Sequence, residues 1–378
     1  MFDFLCGLCI IRMISLHIMN FCGLGEVEWW THVMEWSFYF MSFFFFKAGY
    51  FNKGLKGKGT MDYIADRTRR IFIPYLSAGL IGMAIYFAFL PFLLDRYHKP
   101  IEPLAWEHIW QTSSFYGNRP TWFLFSFFVT YLAVYFIEKV RGLHWAVVLF
   151  PLAAYGLFLE GNPLWMDVNN VFMGIFFFYL GMLWRHAMNR FSRGTMLWVS
   201  VGMIALFVVV NTAFHGEYTM STNTFSGNFA TTMLSMMLAI CGLAGLLTSL
   251  NLPRVPGICY IGEHSMVYFI SHYPMLYYYK FMHLSFGRSI WNKPDDVLIL
   301  VPVIFGLCTW MVPFVERVPW LSGRRKSLTS PHQPSPTPLR PLETSSNSHL
   351  KGEEAGEPSA KEASPLRGGL EGSAESDK

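Results

Sequence analysis

A histidine, a cysteine and an aspartate share one face of the apolar stretch that begins the chain, residues 1–25. Eleven residues of α-helix turn through about 1100° and rise about 16 Å, so Cys6 and His17 lie on one face, with Asp3 within about 40° of it. Ionisable groups at membrane depth are costly and usually face a protein interior or a wet cavity. His17 is therefore the first candidate for proton-transfer chemistry. The alternative is a histidine that only hydrogen-bonds to a neighbouring helix.

Three basic residues farther along the chain are candidates for binding a phosphate group. Arg67 and Arg70 stand three residues apart, so on an α-helix they point the same way and make a fork suited to a phosphate group. Lys47 follows a run of phenylalanines and faces either the same interior as His17 or the membrane interface. The excess of positive charge typical of cytoplasmic loops also accounts for arginines at these positions.

Aromatic and polar side chains are mixed in residues 95–120, which we predict to be the longest external loop. These side chains are Glu102, Trp106, Glu107, His108, Trp110, Tyr116 and Asn118. Such residues stack on sugars and hydrogen-bond to them, although Trp and Tyr are also typical of the aromatic belt at a membrane interface.

The composition predicts an all-α bundle that spans the lipid bilayer. Hydrophobic residues make up 53% of the 378 residues and charged residues 14%, whereas a typical soluble domain has about 25% charged residues. Hydropathy indicates about ten spans. They lie near residues 3–24, 33–51, 71–94, 121–138, 145–159, 170–185, 197–214, 230–250, 262–283 and 297–316.

The distribution of Lys and Arg predicts the orientation in the membrane. One set of alternate loops holds twelve of these residues and the other holds five. Because cytoplasmic loops carry the excess, we predict that both termini are cytoplasmic and that His17 lies toward the external side. The net charge of +4 lies in the membrane part, where it sets orientation and does not indicate nucleic-acid binding.

A change of composition divides the chain into a transmembrane domain, residues 1–321, and a tail, residues 322–378. The tail has no aromatic residue and is rich in Pro, Ser, Gly and Glu, so we predict that it is disordered and cytoplasmic. The six cysteines lie mostly in apolar segments and form neither a disulfide framework nor a zinc set, so no metal is expected.

Five short motifs between residues 3 and 274 resemble, in the expected order, those of the acyltransferase-3 family of integral membrane O-acyltransferases. The first is an Asp, then Leu, a basic residue and Gly, with a His eleven residues after the basic one. Here Cys6 replaces that basic residue. The others are a phenylalanine run, an Arg-x-x-Arg-Ile/Leu-x-x-Pro-Tyr string, an Asn-x-x-x-Trp-Phe-Leu entry and a Gly-x-x-Ser with a downstream His-x-Pro. They correspond to residues 43–51, to Arg67, Arg70, Ile71, Pro74 and Tyr75, to Asn118, Trp122, Phe123 and Leu124, and to Gly262, Ser265, His272 and Pro274.

The resemblance implies an acyl donor, usually acetyl-CoA or another acyl-CoA on the cytoplasmic side, and no metal. It implies a hydroxyl acceptor on a cell-surface or exported carbohydrate or glycolipid, a bacterial cytoplasmic (inner) membrane location, and His17 as the catalytic group. A neutral imidazole takes the proton of the attacking hydroxyl or first carries the acyl group itself, and the sequence leaves both routes open. The binding residues are then Arg67, Arg70, Lys47 and Tyr75 for the donor, and Asn118, Trp122 and His272 for the acceptor.

The missing basic residue at Cys6 raises the question of which cation replaces it. Arg12 lies about 140° around the helix from His17, so Lys47 on the second span is the better candidate. Two other functions remain open. One is a transporter of a lipid-linked or small polar solute with His17 and Lys47 as a proton relay, which would usually show paired similar halves. The other is an inactive scaffold.

Overall fold

The computed structural model describes residues 1–52, 59–97, 106–139, 164–250, 254–285 and 294–323, all within one compact unit, Met1–Lys326. The predicted all-α fold is confirmed, since these residues are mostly helical and contain one small two-stranded sheet. The predicted span at 145–159 and the tail from residue 324 onward lie outside the described residues.

Fourteen α-helices are described, with a π-helical turn and two 3₁₀ turns between some of them. The helices are α1 (Phe2–Phe21), α2 (Glu28–Ser37), α3 (Phe40–Tyr50), α4 (Thr60–Arg67), α5 (Ile73–Tyr97), α6 (Trp106–Thr112), α7 (Trp122–Lys139), α8 (Asn169–Arg190), α9 (Arg193–Phe214), α10 (Phe229–Leu250), α11 (Pro256–Glu263), α12 (Ser265–Ser285), α13 (Pro294–Arg317) and α14 (Pro319–Ser322). The π-helical turn is Thr68–Phe72, and the 3₁₀ turns are Arg119–Thr121 and Trp165–Asp167.

Seven stretches of the described chain are long and apolar enough to cross a membrane, so the predicted count of about ten is not confirmed. The stretches are Phe2–Phe21, Thr60–Phe89, Arg119–Lys139, Trp165–Arg190, Arg193–Phe214, Phe229–Leu250 and Asp296–Arg317. The predicted span at 33–51 is instead broken between α2 and α3. The predicted span at 262–283 corresponds to α12, Ser265–Ser285, which is not among the seven because its five tyrosines and two histidines lower its hydropathy.

Helix α1 lies in the middle of the bundle, in contact with α3, α11, α12 and α13. Its closest approach is to α11, where glycines on both helices leave no room for a side chain. A Cβ atom on Gly7 would collide with the backbone oxygen of Ile258, and one on Gly262 would collide with that of Asp3. Small residues let helix backbones approach closely inside a membrane. The glycines therefore fix α1, and with it His17, against α11.

This contact predicts that Gly262→Ala destabilises the protein. The new methyl group overlaps a backbone atom that cannot move aside as a side chain does, and overpacking of this kind costs about 1–3 kcal/mol. Gly257→Ala is the matched control, because Gly257 lies on the same helix and a Cβ there meets nothing within 4 Å. Thermal unfolding in detergent should show a lower midpoint for Gly262→Ala alone. Equal midpoints for the two variants would contradict this account of the crossing.

The turn Thr68–Phe72 between α4 and α5 is π-helical, which the sequence analysis did not anticipate. A π-helical turn holds more residues than an α-helical turn, so side chains three apart no longer share a face. The α-helical spacing assumed for Arg67 and Arg70 therefore does not hold here.

A β-hairpin between α9 and α10 was also missed. Strand β1 (Glu217–Thr219) pairs antiparallel with β2 (Thr224–Ser226), and the rings of Tyr218 and Phe225 stack across the pair with centroids 4.4 Å apart. His215 ends α9 in the left-handed conformation, with φ of 44°, and turns the chain into the hairpin. The alternation of Tyr218 and Phe225 with threonines around a short polar turn was the available signal, since it is typical of strands.

Candidate functional site

The first cavity has a volume of about 690 Å³ and lies between α1, α3, α4, α7 and α12. Its polar lining residues are Lys47, Asn52, Tyr63, Arg67, Tyr131 and Ser265. Its apolar lining residues are Ile10, Phe44, Ala48, Phe51, Phe123, Leu124, Phe127, Met266 and Phe269. This size is typical of small-molecule sites. The two cations and the aromatic wall suit a ligand with an anionic part and an apolar part.

Lys47 links α3 to the first two turns of α1. Its Nζ atom lies 3.1 Å from the Sγ atom of Cys6 and 3.4 Å from Oδ1 of Asp3. Of the two cations considered for the position beside Cys6, Lys47 is thus the one found there. Arg12 instead donates from Nε to the hydroxyl of Ser37 at 3.1 Å.

Arg67 and Arg70 make different contacts. The guanidinium carbon of Arg67 lies 4.1 Å from the ring centroid of Tyr131 and 5.1 Å from that of Tyr63, so two aromatic faces hold it at the cavity wall. Arg70 donates from Nε to Oδ1 of Asp66 at 2.9 Å, its side chain is 57% exposed, and it is not among the described residues that line the cavity. The predicted fork of two parallel arginines is therefore not formed, because the π-helical turn separates them.

The second cavity, of about 410 Å³, lies along the later turns of α1. Its lining residues are Arg12, Met13, Leu16, His17, Asn20, Met34, Phe38, Phe40, Met41, Pro120, Trp122, Glu217, Tyr218, Thr219, Met220, Ser221 and Phe269. Phe269 lines both cavities and is 4% exposed, so the two cavities meet at its ring. Both cavities lie along α1, and each has polar groups beside an apolar wall.

His17 faces the second cavity, held in place by two rings of α12. Its ring stacks on that of His272, with centroids 5.2 Å apart and planes at 27°, and meets the ring of Tyr273 edge-on at 5.1 Å. No described residue hydrogen-bonds to the His17 imidazole, so its ring nitrogens are available to a molecule in the cavity. The packing fixes the ring without occupying its nitrogens.

His272 is fully buried and supports His17 through stacking. Its Nδ1 lies 3.0 Å from the backbone oxygen of Tyr268, so Nδ1 carries a proton and donates a hydrogen bond to that oxygen. Nε2 is buried and has no hydrogen-bond partner among the described residues. His272 therefore lies beside the predicted catalytic residue.

The remaining predicted binding residues divide into two groups. Trp122 lines the second cavity beside His17. Tyr75 and Asn118 line neither described cavity and instead bond to the backbone. The Tyr75 hydroxyl donates to a carbonyl oxygen at 3.0 Å, and the Asn118 amide donates to two carbonyl oxygens at 3.0 and 3.3 Å. Both hold the turn before α7 in place.

The hairpin supplies part of the second cavity that the sequence analysis did not foresee, from Glu217 to Ser221. The external loop at 95–120, by contrast, contributes Pro120 among its described residues. Within the described chain no group of three or more His, Cys, Asp or Glu side chains is arranged to hold a metal ion.

The comparison with protein families gives one match, to a family model described as an acyltransferase domain, over residues 2–312. The match includes the residues of both cavities and nearly all of the described residues. Neither the search of curated proteins nor the search of solved structures found a match.

Proposed function

The chain belongs to the acyltransferase-3 family. From that membership we propose that it moves an acyl group, and specifically acetyl, from a cytoplasmic acyl-CoA to a hydroxyl of a cell-surface or exported carbohydrate. The family establishes a membrane acyltransferase. The observation that carries the finer proposal is the meeting of two cavities along α1, one with two cations and the other with an available imidazole.

The first cavity is proposed as the acyl-CoA site. CoA carries phosphate groups, and Lys47 and Arg67 provide the positive charge that such groups require. The apolar wall beyond them, which includes Phe123 and Phe127, suits the thioester and the acyl group. The positive-inside distribution supports a cytoplasmic location for this end of the bundle and for both termini. The bacterial inner membrane is the location that the family resemblance implies.

The second cavity is proposed as the acceptor site, with His17 as general base. In the reaction the acceptor oxygen attacks the thioester carbonyl carbon, a C–O bond forms, and the C–S bond to CoA breaks. The hydroxyl proton passes to a ring nitrogen of His17. The departing thiolate of CoA takes up a proton from water, and the protonated His17 then returns its proton to water, so the protons balance. Because no described residue bonds to the His17 ring, its lone pair is free for this role. Trp122 in the same cavity offers a stacking surface for a sugar ring.

Purified full-length protein in lipid nanodiscs tests the proposal. With acetyl-CoA labelled in the acetyl group, we expect free CoA to form and the label to enter a surface glycan fraction. Mass spectrometry of glycans from cells with and without the gene should show the added acetyl mass. Absence of both CoA release and label transfer with short and long acyl donors would refute the proposal.

The different settings of the two arginines predict different effects on the donor. Arg67→Met removes a guanidinium from the cavity and should raise KM for acyl-CoA about tenfold, the loss typical of a charge-assisted hydrogen bond. Arg70→Met, the matched control three residues away, should change KM by less than about twofold, because its partner Asp66 lies outside the cavity lining. The measurement is initial rate against acyl-CoA concentration. An equal rise in KM for both variants would mean that the donor extends onto the surface at Arg70.

A further inference from the structure

Arg12 is a charged residue inside a membrane-spanning helix that the proposed reaction does not use. It lines the second cavity, five residues before His17, which is about 7.5 Å along the helix axis. An ionised side chain at this depth is costly, and such residues commonly mark a ligand or ion site. An ionised Arg12 at this position in α1 therefore requires a group that balances its charge.

The contacts of Arg12 hold its guanidinium in place but do not neutralise it. Nε donates to the hydroxyl of Ser37, and the guanidinium carbon lies 3.8 Å from the ring centroid of Phe40. Nη1 is buried without a hydrogen-bond partner. Among the ion pairs of the described residues, none joins Arg12 to a carboxylate within 4.0 Å. A neutral hydroxyl and an aromatic face leave most of its five N–H donors unused.

We propose that Arg12 binds an acidic group on the acceptor, so that the second cavity selects an anionic sugar over a neutral one. This rests on the proposed function of the cavity. A carboxylate or phosphate can accept two parallel hydrogen bonds from a guanidinium, which gives both affinity and orientation. The separation along α1 then allows the acidic group to lie at Arg12 while a hydroxyl of the same or the next sugar unit reaches His17.

Glu217 of the hairpin is the carboxylate that shares this cavity. Burial and the nearby Glu35 raise the pKa of Glu217, and the positive charge of Arg12 offsets part of this rise. The two side chains interact electrostatically at a distance and do not form an ion pair. Its negative charge opposes an acidic acceptor and offers an acceptor atom to sugar hydroxyls. Removal of that charge should therefore strengthen the binding of an anionic sugar, opposite to the effect of removing Arg12.

A binding measurement on full-length protein in nanodiscs tests the proposal without requiring turnover. The probes are methyl β-glucuronide, glucose 1-phosphate and the neutral methyl β-glucoside, each titrated while the thermal midpoint is recorded. We expect the wild type to bind at least one acidic probe about tenfold more tightly than the glucoside. A preference for glucuronide alone indicates a carboxylate, and a preference for the phosphate alone indicates a phosphorylated sugar.

Arg12→Gln should reduce the preference to less than about twofold, and Glu217→Gln should increase it. Affinity for acyl-CoA, measured on the same samples, reports whether each variant is folded. If Arg12→Gln does not fold, Ser37→Ala, which frees Nε, and Arg12→Lys, which keeps the charge, provide the series. The proposal is overturned if the wild type binds all probes with equal affinity. It is also overturned if the preference for acidic probes survives in Arg12→Gln, or is the same in wild type, Ser37→Ala and Arg12→Lys. If the protein transfers acyl groups to neutral sugars alone, the proposal for Arg12 is wrong and the proposed acyltransferase function stands. If anionic sugars bind through Arg12 but no acyl transfer occurs, the role of Arg12 stands and the proposed function is wrong.

Discussion

His17→Ala should abolish acyl transfer while acyl-CoA still binds. The imidazole faces the second cavity with no hydrogen bond from a described residue, and its ring is held by His272 and Tyr273. A positioned general base contributes about 10²- to 10⁴-fold to a rate, so kcat should fall by a factor in this range. KM for the donor should change little, because Lys47 and Arg67 lie in the other cavity.

His32→Ala is the matched control for this variant. His32 is exposed on α2, bonds to Glu35 at 2.9 Å, and lines neither described cavity. Label transfer from acetyl-CoA and acyl-CoA affinity are measured for both variants. Residual transfer within tenfold of wild type in His17→Ala would remove His17 from the mechanism. Exchange of labelled CoA into acetyl-CoA without an acceptor would instead indicate that His17 carries the acyl group.

The face of α1 that carries the proposed chemistry was predictable because it depends on one regular helix. Periodicity alone relates Cys6 to His17, and α1 runs without a break across both positions. The first motif match then pointed to the missing cation. Helix periodicity could not choose the direction of Lys47, because α3 is apolar all around and has no polar face to orient it.

Features that depend on packing between distant segments were not predictable in the same way. The π-helical turn that separates Arg67 from Arg70 has no distinct sequence pattern, so an α-helical spacing was assumed. The break that divides α2 from α3 falls at Phe38 and Tyr39, where aromatic residues continue on both sides and give no signal of a break. Tyr75 and Asn118 belong to motifs but bond to the backbone, so a motif match identified their positions and not their contacts.

Lys47→Met should lower kcat/KM for acyl-CoA about 10²-fold, and a second change, Cys6→Arg, should restore much of it. The Nζ atom of Lys47 lies 3.1 Å from the Sγ atom of Cys6, so its charge lies beside the position where the family motif has a basic residue. Loss of a charged hydrogen-bond donor that binds a phosphate group costs about 1.5–3 kcal/mol, which corresponds to about 10- to 10²-fold. Arginine at position 6 would return the charge to almost the same point from the other helix.

The control for this pair is Lys139→Met, since Lys139 is exposed, bonds to Thr60 and lines neither described cavity. Initial rates are measured for the two single variants, Cys6→Arg alone and the double variant. Cys6→Arg alone places two cations together beside Asp3 and should be less active than the double variant, because like charges at close range repel. If each single variant lowers the rate of acyl transfer and the double variant restores it, the two positions share one cation site. Full activity of Lys47→Met, or a double variant no better than Lys47→Met, would show that the charge beside Cys6 has no part in transfer.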